Sequence, residues 1–371
     1  GALLTASNQR DAFFARVRRY NSALEAALKP ENIPLEVYTN LIDTVHRYLP
    51  LLHRYVSLRK RVLGLDEVHM YDLYVPLVEM PKRTFDYQEA TDTVVAAFAP
   101  LGERYVNAVR EGLRSRWIDV HETPGKRSGG YNLGVYGVHP YVLLNWGGTL
   151  NDVFTLAHEL GHAMHSHFSA ENQPHPTSSY TIFVAEVAST FNEALLRAYL
   201  LKRSTDPRER AYLVNDALEG IRTTIFRQTM FAEFELLTHQ VVEANEGLTP
   251  ERMMNEYTRL ATMYHGPDFA ADDQLAVEWS RVPHFYRAFY VYQYATGLIA
   301  AMALASAVLS GDEQARDRYL AFLAAGSSKD SLDLLRDAGV DLTTAAPYDA
   351  AFATMEEYLN TLEEALSETQ A

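Results

Sequence analysis

Along most of this chain, apolar residues return every three or four positions, the interval that lines one face of an α-helix. From Asp11 to Leu28 they fall at Phe13, Val17, Tyr20, Leu24 and Leu28, which predicts a helix ended by Pro30 and Pro34. Leu41, Val45, Leu49 and Leu52 carry the same period through a second helix expected at about residues 35–63, with Gly64 at its end. Asp206 before Pro207, and Thr249 before Pro250, each pair an N-cap residue type with proline at the first helical position. Gly247 and Gly266 fall where those helices are expected to end. From Ala288 to Gly311 no residue is charged over a length that can span a bilayer. Its Tyr290, Tyr292, Gln293, Tyr294 and Thr296, set among alanines, predict a buried helix instead.

The period changes between His121 and Gly148. There Gly125, Gly129, Gly130, Gly134, Gly137, Gly147 and Gly148 interrupt short β-rich runs, which predicts a hairpin or small sheet. The run Tyr141 to Trp146 follows Pro140, and proline cannot donate to a ladder, so this strand is expected at a sheet edge. An edge there would let Tyr141, Val142, Leu143, Leu144 and Asn145 pair with an extended peptide; a hairpin with no ligand is the alternative. The expected architecture is mainly α, a single unit that is helical over 1–120, glycine-rich and β over about 121–148, and helical again over 149–371.

Composition narrows the function. With 47% hydrophobic residues, the 371-residue chain can bury a sizeable core. Its 33 basic and 48 acidic side chains give a net charge of −15, which disfavours nucleic acid and anionic membrane as partners. Arg10, Arg16, Arg18 and Arg19 lie in a first stretch without an apolar core, so no signal peptide is read and a cytoplasmic location is expected. There is no cysteine, so a metal site must use His, Asp or Glu.

The sharpest chemical signal is His158, Glu159, Leu160, Gly161, His162, an HExxH motif in a helix expected to begin near Thr149 to Asp152. Residues four apart on a helix stand one above the other, so two imidazoles can converge on one ion. Glu159, one residue on, is turned aside, where it reaches a water beside the ion rather than the ion itself. That is the place of a general base. The alternative is an exposed helix that uses His and Glu for solvation.

A catalytic zinc takes three protein ligands and keeps one position open. The HExxHxxGxxH arrangement fails, because the chain has His165 and Phe168 where it needs glycine and histidine. Glu171, close behind the first helix, would have to fold straight back. A following helix capped by Ser178 or Ser179 would hold Glu186, Ser189 and Glu193 on one face. Glu186 is therefore expected as the third ligand, with Glu193 accepting a ring N–H from a ligand histidine. His165 and His167 read as polar residues near a helix end, not as ligands. Farther on, Tyr286, Tyr290 and Tyr294 follow His284 at a spacing of four, and with Tyr292 they offer donors for a negative tetrahedral oxygen. An aromatic core stripe is the alternative.

HELGHAMHSHF, FVAEVASTFNEALL and PHFYRAFYVYQYATG resemble the M3 peptidases, in particular the oligoendopeptidase F branch. KRSGGYNLGVYGVHPYVLLNWGGTLNDVFTLAHELGH and LPLLHRYVSLRKRVLGLDEVHMYDLY are similar to that branch as well, so the resemblance covers essentially the whole chain. It implies a zincin-type helical endopeptidase whose deep cleft admits short peptides and excludes folded proteins. By motif position it implies one zinc on His158, His162 and Glu186, Glu159 as base, and His284 with Tyr290 or Tyr294 against the substrate carbonyl. Tyr286 and Tyr292 stay open as alternatives. Members of the branch are usually longer, with an N-terminal helical region that these residues do not contain. A peptide-binding protein that does not cut, an inactive catalytic fragment, and a carboxypeptidase or dipeptidyl carboxypeptidase with the same site are the rival readings.

Overall fold

A computed structural model describes residues 1–79 and 83–370. Among them are α1 (Ala2–Val17), α2 (Ala23–Leu28), α3 (Leu35–Leu63), α4 (Tyr87–Ala97), α5 (Gly102–Arg114), β1 (Ile118–Asp119), β2 (Tyr131–Leu133) and β3 (Tyr141–Leu143). There follow α6 (Leu150–Asn172), α7 (Ile182–Arg203), α8 (Pro207–Ile221), α9 (Arg227–Glu243), α10 (Pro250–His265), α11 (Tyr292–Leu309), α12 (Glu313–Leu323), α13 (Ser331–Ala338) and α14 (Ala346–Gln370). The fold is mainly α, as the periodicity predicts. Helix α7 lies between α6 and α11, and α11 in turn packs on α14, so the HExxH helix joins the core through its neighbour.

Several boundaries follow the sequence signals. Helix α3 ends at Gly64, whose φ of 66° is the left-handed conformation glycine adopts without strain. The Asp206 and Thr249 side chains cap α8 and α10 by accepting the Arg208 and Arg252 backbone N–H groups. Others differ. The first predicted helix is two: α1 stops at Val17, Arg19 turns left-handed at φ 66°, and Ser22 caps α2. Phe13 and Val17 face solvent, while Asn8, Ala12 and Ala15 face the core. Gly247 ends no helix, because Asn245 takes the left-handed position after α9. Between α8 and α9 the chain stays helical through a π-turn over residues 222–226. The uncharged run forms α11, an apolar helix mostly buried inside the protein, and its start shifts to Tyr292.

The β element is a three-stranded mixed sheet in the order β1-β3-β2, and it begins before the expected segment. Here the expectation of an edge strand at Tyr141 to Trp146 is overturned. β3 is central, with β1 parallel on one side and β2 antiparallel on the other. Pro140 precedes the ladder and so removes none of its bonds. Val142 donates to the Trp117 carbonyl and Leu144 to the Asp119 carbonyl, both at 2.8 Å. Tyr141, Val142, Leu143, Leu144 and Asn145 are therefore not free to pair with a peptide. Val142 and Leu144 are buried, and Asn145 Nδ2 donates to the Arg127 and Gly129 carbonyls. The edges of the sheet are β1 and β2, and β2 is the one that packs beside α6.

Candidate metal site

Helix α6 starts with a capping box. Asp152 N–H donates to Thr149 Oγ1, and Thr149 N–H donates to Asp152 Oδ2 at 2.8 Å, so two otherwise orphaned donors are satisfied. His158, Glu159 and His162 thus stand in the rigid interior of a long helix. Helix α7 is capped by neither Ser178 nor Ser179. Those residues follow a short 3₁₀ turn at His175–Thr177, and Thr181 takes the N-cap position while its hydroxyl pairs with Ser331 Oγ at 2.6 Å.

Glycine brings the two helices together. A Cβ on Gly161 would lie 2.5 Å from the Ala188 carbonyl oxygen and 2.6 Å from Ser189 Cα, so only a residue without a side chain lets α6 and α7 approach this closely. Asn192 ties the contact from the other side. Its Nδ2 donates to the Ala157 carbonyl at 3.1 Å, and its Oδ1 accepts from the Tyr105 hydroxyl at 3.0 Å.

The close approach assembles the expected ligands. His158 Nε2 lies 3.5 Å from Glu186 Oε2, and His162 Nε2 lies 3.6 Å from the same oxygen. One donor atom from each of the three residues falls within a set spanning no more than 4.8 Å. These separations are long for direct hydrogen bonds. They match a tetrahedral ion, whose ligand bonds of about 2.0–2.2 Å set neighbouring donors roughly 3.3–3.6 Å apart. His158 Nδ1 donates to Glu193 Oε1 at 2.6 Å, which fixes the tautomer that turns the Nε2 lone pair toward the site. Ser189 Oγ donates to Glu186 Oε2 at 2.8 Å and orients that carboxylate. His162 is held by a hydrogen bond to the Ala185 backbone. The donor set fits a divalent cation of the zinc type.

Electrostatics divide the two imidazoles. Burial opposes a charge on His158, but the hydrogen bond to Glu193 and the surrounding carboxylates outweigh it and raise its pKa. Burial, aided by His158, lowers His162 to about 4. Burial also pushes the Glu159 carboxyl up to about 7; His158 opposes this, while Glu186 and Glu193 add to it. Glu159 Oε2 is buried without a hydrogen-bond partner. The glycine-rich segment packs against this carboxyl: a Cβ on Gly130 would lie 3.1 Å from Glu159 Oε1 and 2.9 Å from Thr155 Cγ2.

His165 is not a polar residue near a helix end. It is 1% exposed and stacks on Tyr180 with ring centroids 3.6 Å apart, because α6 runs seven residues beyond it to Asn172. His167 packs against Trp117, and Glu171 pairs with Arg104; none of the three joins the metal cluster.

The late aromatic group converges, though not as a single helical stripe. Tyr286 ends a 3₁₀ turn at Pro283–Tyr286 and is exposed, whereas α11 begins only at Tyr292. Tyr292 is buried against Tyr38 and Phe183 and points away from the site. His284, Tyr290 and Tyr294 do come together. The His284 and Tyr290 rings are parallel with centroids 6.0 Å apart, and Tyr294 stands perpendicular to both at 5.9 and 5.4 Å. Burial and a hydrogen bond with Tyr290 raise the Tyr294 pKa. Tyr294 lines the same cavity, about 660 Å³, as His158, Glu186 and Glu193. The farther wall of that cavity is mainly apolar, with Ala198, Leu201, Leu298, Met302 and Ala305.

Sequence reasoning missed Gly161, Asn192 and Gly130 as site-building residues. Two carried a signal: a glycine inside a helix costs about 1 kcal/mol against alanine, and an asparagine on an apolar face needs buried partners.

An HExxH helix packed on a following helix that returns a glutamate defines the zincin class of metal sites. The sequence profile of Peptidase family M3 matches residues 2–354, and the chain belongs to that family. It is 52% identical over 363 residues to Oligopeptidase PepF of Bacillus subtilis, covering 98% of this chain and 54% of that protein. To Group B oligopeptidase PepB of Streptococcus agalactiae it is 46% identical over 351 residues, covering 95% and 58%. The crystal structure of oligoendopeptidase-F from Enterococcus faecium matches with a TM-score of 0.81 at 38% identity, over 99% of this chain and 60% of that one. The chain thus spans little more than half the length of these relatives.

Proposed function

We propose that this chain is the catalytic part of a zinc-dependent endopeptidase that hydrolyses internal peptide bonds of short oligopeptides. The observation that carries the reading is the set of three donors at ionic spacing with the unpartnered Glu159 carboxylate beside it. His158, His162 and Glu186 would hold the ion, which when bound polarises a carbonyl and acidifies a water. Glu159 takes a proton from the attacking water as its oxygen bonds to the carbonyl carbon. It returns that proton to the nitrogen as the C–N bond breaks. His284, Tyr290 and Tyr294 donate to the negative carbonyl oxygen. The free edge of β2 beside α6 supports an extended peptide there, in place of the strand named from sequence.

Mass spectrometry of the products from a ten-residue peptide, with and without zinc, tests this. Zinc-dependent internal cuts are expected. Stepwise loss from the C-terminus would show a carboxypeptidase, and an intact peptide in the presence of stoichiometric zinc would show a binding protein.

A further inference from the structure

Glu235 lies on α9, away from the metal cluster, and is 2% exposed. A carboxyl so deeply buried is costly unless it is bonded. One oxygen, Oε1, accepts the Phe289 backbone N–H at 2.8 Å, and the other has no partner. Burial first, and the Asp11 carboxylate after it, raise the Glu235 pKa well above the usual carboxylate range; its hydrogen bond to Phe289 only partly opposes this.

The residue it holds is itself unusual. Phe289 sits at φ 55°, a left-handed conformation that strains a bulky side chain and persists only where its surroundings enforce it. Its ring is pinned against Tyr38 at 5.7 Å and His239 at 4.6 Å. On the other side of the loop, Phe285 is pinned against Phe231 and Phe234 at 5.6 and 5.4 Å. Between these two anchors the chain turns, and the Arg287 N–H donates to the His284 carbonyl at 2.8 Å. The residue before Phe285 is His284, and the residue after Phe289 is Tyr290. Among the described residues, Glu235 is the one side chain to which the strained N–H donates.

We infer that Glu235 is a positioning residue: by accepting the Phe289 N–H it fixes the left-handed turn that sets Tyr290 against His284 and Tyr294. The inference rests on the hydrolytic reading above. It assigns a task to a buried acid that the chemistry at the metal cluster does not use.

The test compares Glu235→Gln, which keeps an uncharged acceptor for the N–H, with Glu235→Leu, which fills the space and leaves the N–H unpaired. Glu235→Met, unbranched and also without an oxygen acceptor, takes the place of leucine if that branch blocks folding. The glutamine variant is expected to stay within about twofold of the parent kcat. The apolar variant is expected to lose kcat by about 10- to 100-fold, the cost of one unpaired buried donor. Zinc content and KM should not change, while affinity for a phosphinic peptide that mimics the tetrahedral anion falls by the same factor as kcat. A parent chain that cuts no peptide overturns the hydrolytic reading and this inference with it. A parent that cuts, with an apolar variant equally fast or a glutamine variant equally slow, overturns this inference alone.

Discussion

Glu159 carries the cost of its own position. Its carboxyl is buried, lacks a partner on Oε2 and is raised to about 7, so it is poised to exchange a proton near neutrality. Glu159→Gln keeps the shape and removes the proton acceptor. Turnover of a quenched fluorescent peptide should fall by at least about 100-fold while zinc content measured by atomic absorption stays at one per chain. Parent-like turnover would remove Glu159 from the chemistry. A second residue shows what burial does away from the site. His265 is fully buried, and desolvation lowers its pKa to about 4, against the hydrogen bond to the Ala261 carbonyl. The unfolded chain takes up that proton near pH 6.5 and the folded chain only near pH 4. Between these values the unfolded state binds more protons, so the contribution is complete above about 6.5 and is lost as pH falls toward 4. Measured by denaturant unfolding, the parent should lose on the order of 3 kcal/mol relative to His265→Leu between pH 7 and 4. A difference that does not vary with pH would mean that the folded histidine titrates freely.

At the scale of elements, the site is the contact between α6 and α7. Two candidate ligands on α6 and one on α7 meet because Gly161 lets the backbones close to a distance no side chain allows. In an ordinary exposed helix, replacing glycine by alanine stabilises by up to about 1 kcal/mol. Here Gly161→Ala should do the reverse: the added methyl meets the Ala188 carbonyl, the helices separate, and Glu186 is drawn off the imidazoles. Both Tm and zinc affinity, read by calorimetry and competition with a chelator, should drop. A variant that melts higher with unchanged affinity would show that the helices have room. The β element meets the same helix at Glu159, where Gly130 packs close against the carboxyl.

Across the whole molecule, the groups brought together come from α6, α7 and the Pro283 to Tyr294 segment, the last of them far along the chain from the two helices. An ion held by the proposed site on α6 and α7 would bind the folded chain and not the unfolded one, so saturating zinc should raise Tm by several degrees, as mass action requires. Glu159→Gln should show the same rise and His162→Ala should not; equal rises in both variants would place the stabilising ion elsewhere. The His158, His162 and Glu186 cluster, with Glu159 beside it, was legible in the sequence, because HExxH and the spacing of Glu186 to Glu193 are properties of single helices, which local periodicity encodes. The absence of cysteine left only a His and carboxylate site. Pro140 misled, because whether a strand lies at an edge depends on which strands arrive beside it, and Ile118–Asp119 arrives from outside the glycine-rich segment. The tyrosines were ambiguous for the same reason: a spacing of four assumes one helix, and the left-handed Phe289 breaks it, sending Tyr292 into the core and Tyr290 and Tyr294 toward His284. Chemistry that fits on one helix can be read from the order of residues, whereas close approach, edge and aim belong to contacts between elements distant in the chain, and only tertiary packing sets those.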